Sequence, residues 1–195
     1  KEIVKDFGGI QILVNNAGIT KDKLVPMMKA ADFDAVVDTN LKGTFYMIKG
    51  VYPLFLKQKG GKIINISSNA GEIVNVDLMA PYAAAKAAVN RLTKSLAFEW
   101  GPYGINVNAI APGYMETDLN AALIANNDRF TSISARIPKG RWGKVVIVRH
   151  AFRDPKSGRV LCCQTLYGHL DRIDVKLGQL VGRGDQIGTI GSNNG

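Results

Sequence analysis

Hydrophobic and polar positions along the first 111 residues form two kinds of segment. Three short apolar runs, at residues 10–14, 62–68 and 105–111, end in turn-forming residues, which predicts buried strands. Residues 30–59 and 81–100 carry apolar side chains at mixed spacings of three and four, which predicts two long helices. Because strands that alternate with long helices are typical of βαβ units, we expect a parallel sheet.

The ends of both helices are also predicted. Gly60 and Gly61 are expected to close the first helix, since glycine favours the left-handed conformation found there. Pro81 is expected to open the second, and Gly101 with Pro102 to stop it. The apolar stripes are Phe33, Val36, Val37, Leu41, Phe45, Ile48 and Tyr52 in the first helix, and Ala85, Val89, Leu92 and Leu96 in the second.

The pattern changes near Gly143. Beyond it, short β-like runs at residues 145–148, 160–166 and 187–190 are separated by frequent glycines, which predicts an all-β segment. The charge changes as well: residues 1–138 carry a net +3, whereas residues 139–195, with 10 Lys/Arg against 4 Asp/Glu, carry +6. The sequence therefore predicts two parts, residues 1–143 and 144–195.

Composition narrows the classes of function. No run of about 18 apolar residues occurs, so no membrane partner is expected. The basic residues do not alternate with aromatic ones and no nucleic-acid motif is present, so we interpret the positive charge as a solvated surface and expect no nucleic-acid partner. The adjacent Cys162 and Cys163 form no disulfide framework, which favours a reducing, cytoplasmic location.

One helix carries a pair of residues suited to proton transfer. Tyr82 and Lys86 are four residues apart, so they share a helix face. A free phenol, with a pKa of about 10, is a poor acid or base at neutral pH, and a neighbouring ammonium favours the phenolate and lowers that pKa. Ser68, at the end of the preceding strand, has a hydroxyl suited to binding a substrate carbonyl. Alone, this spacing is a weak signal.

The combination of motifs is more specific. In chain order the sequence has Asn15-Asn16-Ala17-Gly18 after a strand, Asn40 within a helix, Ser67-Ser68 at a strand end, Tyr82 with Lys86, and Pro112-Gly113 followed by Thr117. Over residues 1–143 this order resembles the short-chain dehydrogenase/reductase family. Within it, the text is similar to the 3-oxoacyl-carrier-protein reductases and the gluconate or polyol dehydrogenases.

The resemblance implies a role for each matched residue. Tyr82 would be the general acid/base, Lys86 would lower its pKa and bind the nicotinamide ribose, Ser68 would polarise the carbonyl, and Asn40 would hold a relay water. The cofactor, NAD or NADP, would contact Asn16, Ala17, Gly18, Tyr82, Lys86, Pro112, Gly113 and Thr117. The substrate would be a small alcohol or ketone that exchanges a hydride with the nicotinamide.

The position of the serine leaves an alternative open. Ser68 precedes Tyr82 by fourteen residues, whereas the family usually has thirteen. Asn69 would keep that spacing but has no hydroxyl, and Ser67 is one residue farther away. Ser68 is therefore the preferred candidate.

The phosphate-binding motif of the family is missing. No G-x-G-x-x-G occurs, and only nine residues precede the first predicted strand. The fold class expected is α/β, an incomplete doubly wound parallel sheet without its N-terminal strands, followed by a small β-rich segment. We expect the chain alone to bind NAD(P) weakly or not at all, and its oxidoreductase activity to be impaired.

Residues 145–195 resemble the middle of a lysostaphin-type zinc endopeptidase, a class that cuts peptidoglycan cross-links. The matching text includes Thr165-Leu166-Tyr167-Gly168-His169, and the resemblance implies that His169 assists catalysis without binding zinc. His150 and Asp154 have H-x-x-x-D spacing, but the later H-x-H is missing and a catalytic zinc needs three protein ligands. No metal site is expected.

The sequence thus predicts a short-chain oxidoreductase joined to part of a peptidase. The alternatives are a peptidoglycan-cleaving zinc peptidase fragment and an inactive chimera, whether a natural fusion, a fragment or an assembly artefact. A homo-oligomer would form through the two long helices, as is usual in the resembled family.

Overall fold

The computed structural model describes residues 2–72, 77–137, 140–153, 160–176, 179–181, 186 and 188–190. The chain divides into two compact units, Lys1–Gly113 and Tyr114–Gly195. The change from helices to an antiparallel sheet falls at Lys144, inside the second unit. The predicted domain division between residues 143 and 144 stays a prediction.

The first unit alternates strands and helices. Its elements are α1 Glu2–Phe7, β1 Ile12–Asn15, a 3₁₀ turn Val25–Met27, α2 Ala30–Val37, a π-helical turn Asp38–Gly43, α3 Thr44–Gln58, β2 Gly61–Ile66, a 3₁₀ turn Asn69–Gly71, α4 Ala80–Trp100, a 3₁₀ turn Gly101–Tyr103 and β3 Ile105–Ile110.

The three strands of this unit form a parallel sheet in the order β1-β2-β3. Leu13 of β1 lies opposite Ile63 of β2, which in turn lies opposite Val107 of β3. The predicted α/β class with a parallel sheet is confirmed. Among the described residues β1 is an edge strand, and its Ile12 and Val14 are 52% and 53% exposed.

The core of the first unit lies where α3 and α4 pack against the sheet. Its buried members are Leu13, Ile48, Val51, Phe55, Ile63, Leu96, Trp100, Ile105 and Val107. The stripe predicted for α4 is correct, with Ala85, Val89 and Leu96 buried. In the preceding helical segment Phe33 and Phe45 are instead exposed, while Val51 and Phe55, outside the predicted stripe, are buried.

The predicted helix over residues 30–59 is interrupted by the π-helical turn at Asp38–Gly43. A π turn has more residues per turn than an α-helix, so it rotates the buried face of the helix that follows. A stripe predicted with regular α-helical spacing therefore places Phe45 on the wrong face. The helix ends at Gln58, close to Gly60 and Gly61 as predicted, but neither glycine adopts the left-handed conformation. Lys59, with φ 55°, adopts the left-handed conformation, and the Gly60 N–H donates to the Phe55 carbonyl at 3.0 Å.

A buried ladder of polar side chains ties α4 to the sheet. The Asn15 amide donates to Asn65 Oδ1 at 2.8 Å, and the Asn65 amide donates to Thr93 Oγ1 at 2.9 Å. Thr93 Oγ1 donates in turn to the Val89 carbonyl at 2.8 Å. Because an unmatched buried polar group is costly, this ladder specifies how α4 is placed along β1 and β2.

The second unit begins with helices that the sequence did not predict: α5 Ala121–Ala125 and α6 Asn127–Ala135, preceded by a 3₁₀ turn Asp118–Asn120. Trp142 is fully buried with Leu123 and Ile133, and its ring stacks on Phe130 at 5.3 Å between centroids. The Trp142 Nε1–H donates to Ser134 Oγ at 3.1 Å.

The remaining strands of the second unit are β4 Lys144–Arg153, β5 Val160–Ile173 and β6 Gly188–Ile190, in an antiparallel sheet of order β4-β5-β6. They confirm the predicted β-rich segment, although Ile187 of the third run lies outside the described residues. Within the described ranges, no helix is both long and apolar enough to cross a membrane.

Candidate active site

Tyr82 and Lys86 lie in the first two turns of α4, on the face turned toward the sheet, and both side chains are buried. The Lys86 ammonium nitrogen is 5.6 Å from the centroid of the Tyr82 ring. Pro81 stands at the start of this helix, as predicted, so the pair occupies a fixed position directly after the helix begins.

Burial favours the neutral form of each of these two groups and shifts its pKa accordingly. It raises the pKa of Tyr82, while a hydrogen bond between the Tyr82 phenol and Ser68 acts in the opposite direction. Burial also lowers the pKa of Lys86 from 10.5 to about 8. Desolvation is the largest influence on the Tyr82 pKa in this structure, so the lowering of that pKa by Lys86 stays a prediction.

Ser68 lies two residues after the end of β2 and caps the start of the 3₁₀ turn Asn69–Gly71. Its hydroxyl oxygen accepts a hydrogen bond from the Ala70 N–H at 3.2 Å and contacts the Tyr82 phenol. Ser67 Oγ instead donates to the Lys86 carbonyl, and the Asn69 N–H donates to the Pro112 carbonyl at 3.0 Å. Of the three neighbouring candidates, the structure brings Ser68 to Tyr82.

Asn40 lies in the π-helical turn and is buried. Its side chain pairs with the backbone of Ile19 in both directions, accepting from the N–H at 2.8 Å and donating to the carbonyl at 3.0 Å. Its own carbonyl accepts from Thr44 Oγ1 at 2.9 Å. Asn40 thus fixes the chain directly after Asn16, Ala17 and Gly18.

Gly18 is the member of this turn that comes nearest to the catalytic candidates. A Cβ at Gly18 would lie 3.4 Å from Asn40 Oδ1 and 3.7 Å from Lys86 Nζ. Asn16 and Ala17 precede it and are exposed at the end of β1. The structure therefore brings Gly18, Asn40 and Lys86 together.

The remaining cofactor candidates fall in both units. Pro112 accepts from Asn69, and a Cβ at Gly113 would lie 3.4 Å from Asn69 Nδ2, so these two residues lie beside the turn that carries Ser68. Thr117 belongs to the second unit, where its carbonyl accepts from the Asn120 N–H at 2.9 Å. Its part in cofactor binding stays a prediction.

The donor set at Lys86 fits a nicotinamide ribose. An ammonium has three N–H donors, and Lys86 Nζ gives one of them to the Ile66 carbonyl at 2.6 Å. The others suit the hydroxyl oxygens of a sugar, and the small Gly18 beside them leaves room for a close approach.

The peptidase-like residues lie in the second unit. His169 is in β5 and His150 in β4, and their side chains lie outside the description. Among the side chains that are described, no three His, Cys, Asp or Glu residues lie together as a metal-binding group. The role predicted for His169 stays a prediction.

Sequence reasoning missed several residues that support the site. Ser67 and the Ile66 carbonyl hold Lys86, and Gly71 allows close contact with α4. The serine pair was visible in the sequence, but which hydroxyl contacts the Tyr82 phenol and which the Lys86 carbonyl is decided by the tertiary structure.

The chain belongs to the short chain dehydrogenase family, whose model matches residues 1–128. Residues 102–195 match the model of Peptidase family M23, so both resemblances found in the sequence are confirmed. The two matches share residues 102–128.

Individual relatives agree with the first match. The chain is 41% identical over 169 residues to the 3-oxoacyl-(acyl-carrier-protein) reductase FabG of Staphylococcus epidermidis, covering 86% of this chain and 68% of that protein. It is 45% identical over 144 residues to FabG of Thermotoga maritima, covering 74% and 57%.

A solved structure of similar fold is the gluconate 5-dehydrogenase of Burkholderia cenocepacia, in complex with NADP and tartrate. It has a TM-score of 0.71 and 40% sequence identity, over 73% of this chain and 56% of that one. The chain thus spans little more than half the length of the solved structure.

Proposed function

We propose that the chain carries the catalytic residues of an NAD(P)-dependent oxidoreductase that moves a hydride between nicotinamide and a secondary alcohol or ketone. The supporting observation is the grouping of Ser68, Tyr82 and Lys86, buried together where β2 ends and α4 begins. Membership of the short chain dehydrogenase family supports the same chemistry.

Each candidate residue has a separate role in the proposed reaction, set by its position. When bound, the nicotinamide would supply or take up the hydride. Tyr82 gives a proton to the substrate oxygen during reduction and takes it back during oxidation. Ser68, which contacts the Tyr82 phenol, donates a hydrogen bond to the substrate oxygen as well. Lys86 binds ribose hydroxyls, and its charge then favours the phenolate form of Tyr82.

Asn40 would serve the proton path from the other side of Lys86. Its side chain holds Ile19, and a Cβ at Gly18 would lie within 4 Å of both Asn40 Oδ1 and Lys86 Nζ. A water bound in this region would carry protons between Lys86 and the solvent, as the family resemblance implies.

The cofactor proposal covers both NAD and NADP. Asn16, Ala17 and Gly18 would line the adenosine side, and Pro112 and Gly113 would contact the nicotinamide. The gluconate 5-dehydrogenase that shares the fold binds NADP, which supports this class of cofactor.

The proposed substrates are 3-oxoacyl thioesters or polyol acids, the two classes named for the similar proteins. Homo-oligomerisation through α3 and α4 is supported by large apolar side chains that these helices expose, namely Phe45, Tyr46, Met47, Leu56 and Phe98. A cytoplasmic location stays a prediction.

Tyr82→Phe tests the proposal. Oxidation of NADH and NADPH is followed with a 3-oxoacyl thioester and with a keto derivative of gluconate, each in excess. Losing the phenol should reduce turnover on the order of 10²–10⁴-fold. The matched control is Tyr103→Phe, at an exposed tyrosine after α4, which should retain the rate. Equal, measurable rates in wild type and Tyr82→Phe would contradict it.

A second candidate function follows from the Peptidase family M23 match. It is hydrolysis of peptidoglycan peptides by the C-terminal part, with His169 assisting. Release of soluble peptide from purified peptidoglycan in the presence of zinc, lost in His169→Ala but retained in Tyr82→Phe, would favour this candidate over the oxidoreductase.

A further inference from the structure

The segment that follows β2 packs along one face of α4, and two of the catalytic candidates, Ser68 and Lys86, lie in this contact. We name the contact between residues 66–72 and the part of α4 from Lys86 to Lys94 the β2–α4 seam. Ser68, which contacts Tyr82, is part of the segment that the seam holds.

At one end of the seam, two groups of β2 hold Lys86. The Ile66 carbonyl accepts from the Lys86 ammonium at 2.6 Å. The neighbouring Ser67 Oγ donates to the Lys86 main-chain carbonyl at 3.1 Å, and Ser67 is only 3% exposed. Lys86 is thus gripped at its backbone and at its charged end by consecutive residues. Because a carbonyl has two lone pairs, the Ser67 bond does not compete with the helix.

In the middle of the seam, the backbone of the 3₁₀ turn approaches α4 as closely as glycine allows. A Cβ at Gly71 would lie 2.7 Å from the Ala87 nitrogen and from the Lys86 carbonyl carbon. Both are main-chain atoms that cannot move aside as a flexible side chain would. Any larger residue at position 71 must therefore push the turn away from Lys86.

At the far end, Glu72 contacts two residues of α4. Lys94 Nζ donates to one carboxylate oxygen at 2.7 Å, and the Asn90 amide donates to the other at 3.4 Å. The Lys94–Glu72 pair is exposed on both sides, so solvent weakens it. The buried hydrogen bond of Ser67 and the close main-chain approach of Gly71 are accordingly the contacts that decide the geometry.

We propose that Ser67 and Gly71 are positioning residues, which hold Lys86 against the end of β2 and thereby fix the Ser68 hydroxyl at Tyr82. Ser68 lies between them in sequence, so its main chain cannot move away from α4 unless one of the two contacts opens. The catalytic meaning of this inference rests on the proposed oxidoreductase function, whereas the geometry does not.

The test measures the pKa of Lys86 by following its side-chain carbon and nitrogen resonances through a pH titration of the isotope-labelled chain. The Lys86 signal is assigned by its loss in Lys86→Met. In the wild type the pKa of Lys86 is lowered to about 8 by burial. Ser67→Ala and, independently, Gly71→Ala should loosen the seam, admit water to the ammonium and raise this pKa by about one unit, a tenfold change in proton affinity.

Three controls separate positioning from general destabilisation. Ser67→Thr keeps the hydroxyl and should restore the wild-type Lys86 pKa. Thr93→Val removes another hydroxyl bonded to an α4 carbonyl, and Gly50→Ala adds a Cβ where no atom lies within 4 Å. Neither control should move the Lys86 pKa, even where Thr93→Val lowers the melting temperature.

An unchanged Lys86 pKa in both Ser67→Ala and Gly71→Ala, with the fold retained, would overturn the inference. So would an equal shift in Thr93→Val. The titration requires no turnover, so its failure is distinct from failure of the proposed function, which the Tyr82→Phe assay decides.

Discussion

The interiors of the two units are stabilised by different kinds of interaction. In residues 1–113, polar side chains from two strands and α4 are buried and matched by hydrogen bonds, as in the ladder from Asn15 through Asn65 to Thr93. In residues 114–195, the described interior is an apolar cluster around Trp142, whose ring donates a hydrogen bond to Ser134.

The comparison shows which unit holds its side chains in one fixed arrangement. An apolar cluster stabilises a unit without fixing the orientation of its side chains, because the hydrophobic effect depends on buried area. Hydrogen bonds are directional, and each unmatched partner is penalised, so a buried polar ladder specifies one arrangement. The unit that holds Tyr82 and Lys86 is the one with the ladder, and three variants test this contrast.

The largest effect is expected in the apolar cluster. Trp142→Ala should destabilise the second unit by about 3–5 kcal/mol, since it removes a fully buried ring and leaves a cavity. Amide hydrogen exchange of α6 measures the loss. The control, Phe98→Ala, truncates a side chain that is 89% exposed and should change little. A loss below about 1 kcal/mol for Trp142→Ala would show that the cluster is not the core of this unit.

The next effect depends on pH. Lys86 has a folded pKa of about 8, below its ordinary 10.5, so the unfolded chain binds more protons between these values. Below about pH 8 both states are protonated and the burial penalty is complete. As pH rises toward 10.5 the penalty disappears, a gain of roughly 3 kcal/mol. The raised pKa of Tyr82 acts oppositely, but only above about pH 10.

Lys86→Met isolates this contribution. Urea unfolding of wild type and variant at about pH 7 and about pH 9.5 should show the wild type gaining stability relative to the variant at the higher pH. The same difference at both values would mean that Lys86 is not desolvated. That result would remove the contrast between a buried charged site and an apolar cluster.

The smallest effect is expected in the ladder. Asn65→Ala leaves Asn15 and Thr93 without their buried partner and should cost about 1–3 kcal/mol. Asn106→Ala, at an exposed position on the same sheet, is the matched control and should stay within about 0.5 kcal/mol of wild type. Thermal unfolding of both variants compares them, and equal midpoints would mean that the ladder adds nothing beyond the apolar core.

The sequence by itself determined the local features of the first unit. Apolar runs bounded by turn residues placed the strands, and Pro81 placed the start of α4. Tyr82 and Lys86 share a helix face because four residues are about one helical turn. These features depend on near neighbours in the chain, so a pattern of residue types carries them.

Only the tertiary structure decided how these elements meet. The choice of Ser68 over Ser67 depends on the direction of β2 as it passes α4, and the π-helical turn at Asn40 depends on its contact with Ile19. The lowered pKa of Lys86 follows from burial contributed by residues distant in sequence. The desolvation of a buried group and the register of a sheet both depend on many residues that are distant in sequence. A local pattern of residue types therefore cannot predict them.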